Sequence, residues 1–307
     1  MRVDPRPRVW VVIVNWNGRE DTLACLRSLE SLDYRGHDVL VVDNGSHDGS
    51  VEAIRASFPS VTVIENGRNL GFAGGNNVGI AHAVDRGADY VLLLNSDTEV
   101  APGLLSALVE VGEADPTVGM LGPKIYYYDA PNVIWSAGGT VDAWGRTGHL
   151  RADEPDDGSP EGVRLVDYVT GCAILVKRCV VERIGAFDER FFAYFEETEW
   201  CARARRAGYK VAYVPSGVVW HKIQPNARGA SRFYIYMMAR NRLLYLRAIG
   251  ARSSALAAAS LDLLRTAAAW SLRPRHAPRR AYAGALVKGV ADFAMGRFGP
   301  PTESVTA

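Results

Sequence analysis

Up to Gly119 the chain alternates short apolar runs with segments of helical period, and most of the runs stop at a polar turn. Residues 9–14 are apolar and end at Asn15-Trp16-Asn17-Gly18. Residues 21–32 carry Leu23, Leu26, Leu29 and Leu32 at helical spacing. Residues 38–42 form a second run, which ends at Asp43-Asn44-Gly45-Ser46, and residues 50–58 read as a helix. A third strand is expected over 61–64. A Gly- and Asn-rich loop then leads into a helix over 73–86. The run 90–94 ends at Asn95-Ser96-Asp97, and Pro102 stands where proline suits the opening of a helix. Strand and helix repeated this often predict an α/β fold with a mixed, mostly parallel sheet flanked by helices.

Beyond Gly119 the pattern is less regular. Residues 135–148 are rich in Gly and aromatics, and 151–162 read as an exposed loop. A buried strand is expected over 169–176 and a short helix over 179–184. A helix over 191–207 and strands over 211–214 and 218–220 follow. From Ser231 onward the pattern is helical: 233–249, 255–272 and 281–298, with a basic hinge at 273–280. This divides the chain into an α/β domain over 1–225 and a helical extension over 226–307.

Charge sharpens that division. The net charge of +1 combines a tail (227–307) with 13 Lys and Arg against three acids and a body with 22 against 31. An acidic body with a basic, amphipathic tail suggests contact with something anionic, a membrane surface in particular. The alternative is that these helices pack on the domain or on another subunit. No nucleic-acid partner is expected. Four cysteines without a CxxC pair suggest a reduced compartment rather than a zinc site. The first apolar run is too short for a signal peptide. No stretch reaches the roughly 18 apolar residues of a spanning helix. The expected location is cytoplasmic, either free or as a peripheral protein on the inner face of the cell membrane.

The chemistry concentrates at two acidic sites about a hundred residues apart. Asn95, Ser96 and Asp97 end a buried strand, where open α/β sheets bind ligands. Asp97 can hold Mg²⁺ or Mn²⁺ with Asn95 as a neutral oxygen donor, and His221 is a candidate third contact, since these ions need few protein ligands. Glu196, Glu197 and Glu199 lie in an aromatic segment, although acids at a helix N-terminus are favoured for structural reasons alone. Asp43 and Asn44 could accept hydrogen bonds from a base or ribose, or simply cap a turn. Residues 69–79 could bring backbone amides to a diphosphate. Their glycines could equally serve close helix-to-sheet packing.

In this order and spacing the segments resemble the inverting glycosyltransferases of family 2, with the GT-A fold, and most closely the rhamnosyltransferase-like branch. The residues that carry the resemblance are 11–18, 41–46, 69–79, 93–97, Gly171-Cys172 and 191–203, together with Tyr234 and Arg240-Asn241. The resemblance implies donor-side roles for Asn15, Asn17, Asp43, Asn44, Asn69, Gly71, Phe72, Gly75, Asn76, Asn95 and Ser96. It implies acceptor-side roles for Gly171, Cys172, Glu199 and Trp200, and a divalent cation at Asp97 and His221. It also implies that Glu197 or Glu196 is the catalytic base. The partners would be a nucleotide-diphosphate sugar, with dTDP-rhamnose favoured, and a glycan or lipid-linked acceptor of the cell envelope. Two positions depart from the family pattern: Asn95 replaces the first acid of the metal motif, and Glu197 replaces an aspartate. Those departures keep open a catalytically weak scaffold or glycan binder. A sugar nucleotidylyltransferase ranks lower, because its first loop would be Gly-rich with Arg and Lys to grip a triphosphate.

Overall fold

The structure is a computed structural model that describes residues 6–223 and 231–301. The domain boundary expected at 225/226 lies outside the described residues. The sheet begins with β1 (Val9–Asn15), β2 (His37–Asp43), β3 (Thr62–Glu65) and β4 (Tyr90–Asn95). It continues with β5 (Thr98–Val100), β6 (Val118–Tyr127), β7 (Ile134–Ser136), β10 (Arg164–Leu165), β11 (Ala173–Lys177) and β12 (Lys210–His221). A separate hairpin joins β8 (Gly139–Val141) and β9 (Thr147–His149). The strand order is β10-β12-β6-β11-β4-β1-β2-β3, with β5 on β12 and β7 on β6. In that row β3, β2, β1, β4, β6 and β12 share one direction, and β11 and β10 oppose it.

Strands covered on both faces need apolar side chains at every position, which is why 9–13 and 90–94 read as unbroken runs. One face carries α1 (Arg19–Leu29), α2 (Ser50–Ser57) and α4 (Leu104–Ala114). The other carries α3 (Gly71–Asp85), α5 (Arg178–Ile184) and α6 (Glu196–Arg206). Close approach of α3 depends on Gly79, where an added Cβ would lie 2.2 Å from Val12 Cγ1. Register pairs Asn15 with Asp43 and Val14 with Asn95. The polar ends of β1, β2 and β4 are therefore flush at one edge, and the site is built there.

Several expectations need correction. The irregular stretch after Gly119 contains β6, a buried strand of ten residues. The two strands expected over 211–220 are one strand, β12, with an irregularity between Val214 and Val218. The loop over 151–162 is exposed for most of its length, as expected, but it is also tied down: Asp156 and Glu161 reach Lys124 Nζ at 2.5 and 2.8 Å, and Arg151 reaches Glu161 at 2.6 Å. These groups are largely shielded, so the pairs hold the loop more firmly than exposed ones would. The helix expected from residue 191 begins at Glu196.

The helical extension comprises α7 (Arg232–Ala248), α8 (Ser253–Leu272), a 3₁₀ segment (Pro274–Tyr282) and α9 (Ala283–Ala294). Phe191, Phe195 and Ala202 of the α/β body share an apolar cluster with Leu243, Leu244, Leu246, Leu263 and Leu286. Packing on the body, the alternative to membrane contact, thus accounts for α7.

Candidate active site

At the β1–β2 edge, Asn15 Nδ2 donates to Asp43 Oδ1 (2.8 Å) and Ser46 Oγ (3.0 Å). Its Oδ1 accepts from Gly18 N and Thr22 Oγ1. Asp43 Oδ2 accepts from the amides of Gly45 and Ser46 at 3.0 and 2.9 Å. The Asn15 side chain is saturated and buried, so it braces the turn. The Asp43 carboxylate has about one lone-pair site left for an incoming donor, out of about four. Asn17, at φ 54°, accepts from His47 N and donates its own amide to Ser46 Oγ. Asn44 donates to Gly71 O (3.0 Å) and accepts from Asn66 Nδ2 (2.8 Å), while Asn69 Oδ1 accepts from Gly71 N (2.8 Å).

At the end of β4, Asp97 Oδ1 and His221 Nε2 are 3.0 Å apart, and Asn95 Nδ2 lies 3.5 Å from the same ring nitrogen. Burial pushes the Asp97 carboxyl up. The hydrogen bond and charge of His221 outweigh that and leave it below the ordinary carboxylate range. His221 stacks edge-on against Trp135, which in turn packs edge-on against His149. A carboxylate oxygen and an imidazole nitrogen are both usual donors to such ions, so Asp97 and His221 are the side chains that would hold a Mg²⁺ or Mn²⁺ ion. No cluster of three metal-binding side chains exists among the described residues. Substrate oxygens and water would complete the shell, as is usual for these ions. His221 Nδ1 has no partner among the described residues, so the imidazole is oriented by its Nε2 contact with Asp97 and by packing against Trp135.

The second acidic site opens α6. Glu196 is buried and Glu197 half-buried, and neither Oε2 has a partner among the described residues. Burial lifts the Glu197 carboxyl to about 7, against the stabilising amides of Glu197, Thr198 and Gly171. Burial and the neighbouring Glu197 charge raise Glu196 well above the carboxylate range. Environment thus separates the pair: Glu196, the more deeply buried and facing the Glu197 charge, holds its proton strongly, and Glu197 is poised to exchange one. Gly171 lies between Glu197 and Phe72, where an added Cβ would meet the Phe72 ring at 3.1 Å and Glu197 Cβ at 3.7 Å. The Tyr194 hydroxyl is raised by burial and by the charges of Glu196, Glu197 and Asp97. Tyr194 thus lies within electrostatic reach of both acidic sites.

A family model for glycosyl transferase family 2 matches residues 10–185. The chain belongs to this family. The N-acetylglucosaminyl-diphospho-decaprenol L-rhamnosyltransferase of Mycobacterium tuberculosis is 32% identical to it over 230 residues, covering 69% of this chain and 75% of that one. The low-salt glycan biosynthesis hexosyltransferase of Haloferax volcanii is 29% identical over 246 residues, covering 79% and 76%. Among solved structures, the mannosyltransferase of Pyrobaculum calidifontis in complex with GDP-Man and Mn²⁺ superposes with a TM-score of 0.58. It shares 19% identity, with 95% of this chain and 88% of that chain covered.

Within this glycosyltransferase most of the expected site residues fall into three groups. Asn15, Asn17, Asp43, Asn44, Asn69 and Gly71 gather at the β1–β2 edge, and Asn95, Ser96, Asp97 and His221 gather at the end of β4. Phe72, Gly171 and Glu197 meet beside the second acidic site.

Five expected residues are placed otherwise. Trp200 is fully enclosed, donates to Gly185 O and packs on Phe187, so it cannot touch an acceptor. Buried Glu199 receives Arg203, whose guanidinium also bonds the carbonyls of Ile184 and Ala186. The Cys172 thiol is buried, and only the residue's carbonyl serves the site, accepting from Asn95 N at 2.9 Å. Gly75 is a packing glycine against Val14 and Asn44. Asn76 is buried and bonds back to Phe72 O within α3.

Sequence reasoning missed Ser46, which ties β1 to β2. It also missed the Trp135–His149 pair beside His221. The aromatic richness of 135–148 was the available signal.

Proposed function

We propose that this glycosyltransferase moves a sugar from a nucleotide diphosphate to a hydroxyl of a glycan or lipid-linked acceptor, with inversion at the anomeric carbon. The leading donor candidate is dTDP-rhamnose, a choice supported by the name of the mycobacterial relative. The observation that carries the reading is the Glu197 carboxyl, on a half-buried side chain, with one buried oxygen that has no partner among the described residues and an affinity for protons that burial raises to about 7. A general base works best when its pKa lies near the working pH. Glu197 takes the proton of the acceptor hydroxyl as that oxygen attacks. Buried Glu196, neutral at the same pH, does not compete for it. Asp97 and His221 would hold a divalent cation, which neutralises charge on a departing diphosphate when bound. Asp43 and the turn it caps would receive the nucleoside.

The acceptor is proposed to be delivered at an anionic bilayer on its cytoplasmic face. Leu261, Leu264, Leu272, Val287 and Met295 are exposed on the extension beside Arg265, Arg273, Arg275, Arg279 and Arg280. Apolar side chains next to a basic run suit an interfacial helix. No helix among the described residues is long and apolar enough to cross a membrane.

Thermal shifts with dTDP, UDP, GDP and CDP, each with Mn²⁺, Mg²⁺ or chelator, test the donor site, because a ligand of the native state raises the melting temperature. A metal-dependent rise with one nucleotide supports the reading. A flat response to all of them favours a scaffold or glycan binder.

A further inference from the structure

Three residues just before the catalytic pair, Phe192, Tyr194 and Phe195, have φ of 64°, 69° and 73°. Side chains other than glycine rarely adopt this left-handed region, at a cost of order 1–3 kcal/mol each unless surroundings enforce it. The enforcing groups come from α7. Asn241 is fully buried, and its Nδ2 donates to the carbonyls of Phe191 (2.9 Å), Ala193 (2.8 Å) and Tyr194 (2.8 Å). Its Oδ1 accepts from Arg240 Nε at 3.0 Å. Arg240, also buried, donates to Phe191 O (3.2 Å) and Arg190 O (3.4 Å), and on its other side to Gly299 O (2.7 Å). From the opposite flank Ala73 N donates to Phe192 O at 3.0 Å, and Gly71 leaves room for the Phe192 ring.

We propose that Arg240 and Asn241 are positioning residues for catalysis. Side chains from the helical extension lock the backbone of residues 190–195 in a left-handed path, and that path fixes the direction in which Glu197 enters the site. The inference rests on the reading of Glu197 as the base. It assigns to the extension, outside the residues matched by the family model, a direct part in assembling the active site. Neither a solvated surface helix nor a simple packing helix needs one amide nitrogen whose two protons are shared among three carbonyls of one segment. The same bonds satisfy carbonyls that the left-handed turns leave without helical or strand partners.

The test compares Asn241→Ala, Asn241→Ser and Arg240→Lys with wild type and with Glu197→Gln. Ser keeps a single donor, and Lys keeps the charge without the fork that spans two carbonyls. Readouts are kcat, donor KM, the pH profile of kcat/KM and the melting temperature. The expected result is a fall in kcat of tenfold or more for Asn241→Ala and a smaller fall for Asn241→Ser, with donor KM within about threefold. The acidic limb of the profile moves to lower pH, because a loosened segment admits water to Glu197. Other titratable groups facing Glu197 are Glu196, Tyr168, Tyr194 and Cys201; burial raises all four, so all stay neutral near pH 7. Unchanged kcat and limb in a folded Asn241→Ala overturns the proposal, as does loss of fold in all three variants, which would make the role architectural only. Retained activity in Glu197→Gln would instead overturn the base assignment.

Discussion

Replacing Glu197 by Gln is expected to lower activity and raise stability, with the second effect appearing only at high pH. Burial lifts this carboxyl from 4.5 to about 7 in the folded protein. Below pH 4.5 both folded and unfolded chains hold the proton, and the site costs nothing. Between 4.5 and 7 the folded chain still binds a proton that the unfolded chain has released, so stability falls as pH rises. Above 7 the loss levels off. At about 1.4 kcal/mol per pKa unit, the loss is about 3 kcal/mol as an upper figure. Glutamine fills the same space without charge and recovers part of that. Removing the Glu197 charge also lets Glu196 ionise more readily, which adds to the gain at high pH. Transfer meanwhile falls by about 10²–10⁴-fold, the usual contribution of a general base. Urea denaturation of both proteins at pH 5 and pH 8, together with a donor-turnover assay, measures the two effects. A stability difference equal at the two pH values would refute the burial reasoning, and retained turnover would refute the role of Glu197.

Asp97→Ala should abolish the Mn²⁺ dependence of nucleotide-induced thermal shifts while leaving the apo melting temperature within a few degrees; an intact metal dependence would remove Asp97 from the site. Gly79→Ala should cost about 1–3 kcal/mol, the usual penalty of overpacking, since the new methyl would meet Val12 at 2.2 Å; an unchanged denaturation midpoint would show that α3 can retreat from β1 freely. Sedimentation with vesicles should show binding to anionic but not neutral lipid, weakened by salt and by neutralising Arg273, Arg275, Arg279 and Arg280. Equal binding to both vesicle types would argue against the proposed surface.

The parallel half of the sheet was legible because strands covered on both faces must be apolar throughout, and their polar ends mark the carboxyl edge. Strand β6 was not. Gly119, Gly122, Pro123 and Lys124 interrupt its pattern, and each is accommodated by a distant segment. Gly122 packs on Val169, and Lys124 is neutralised by Asp156 and Glu161. The start of α6 was misplaced for a similar reason. Nothing local in Phe191-Phe192-Ala193-Tyr194-Phe195 announces a left-handed path, which Asn241 imposes from about fifty residues away. The two acidic sites were found as residue types at strand and helix ends. Their division of labour could not be read there. Helical periodicity turns Glu199 and Trp200 inward with Glu196, and only the observed packing shows Glu197 half-buried with one buried oxygen that has no partner among the described residues.

The central claim is transfer from a nucleotide sugar with inversion, using Glu197 as base and no covalent enzyme intermediate. Its most direct test is the anomeric configuration of the product, followed by NMR from a donor of known configuration, with wild type and Glu197→Gln in parallel. Inversion by wild type, lost in the variant, is the predicted result. Retention of configuration, or no turnover with any nucleotide sugar and acceptor tried, would contradict it.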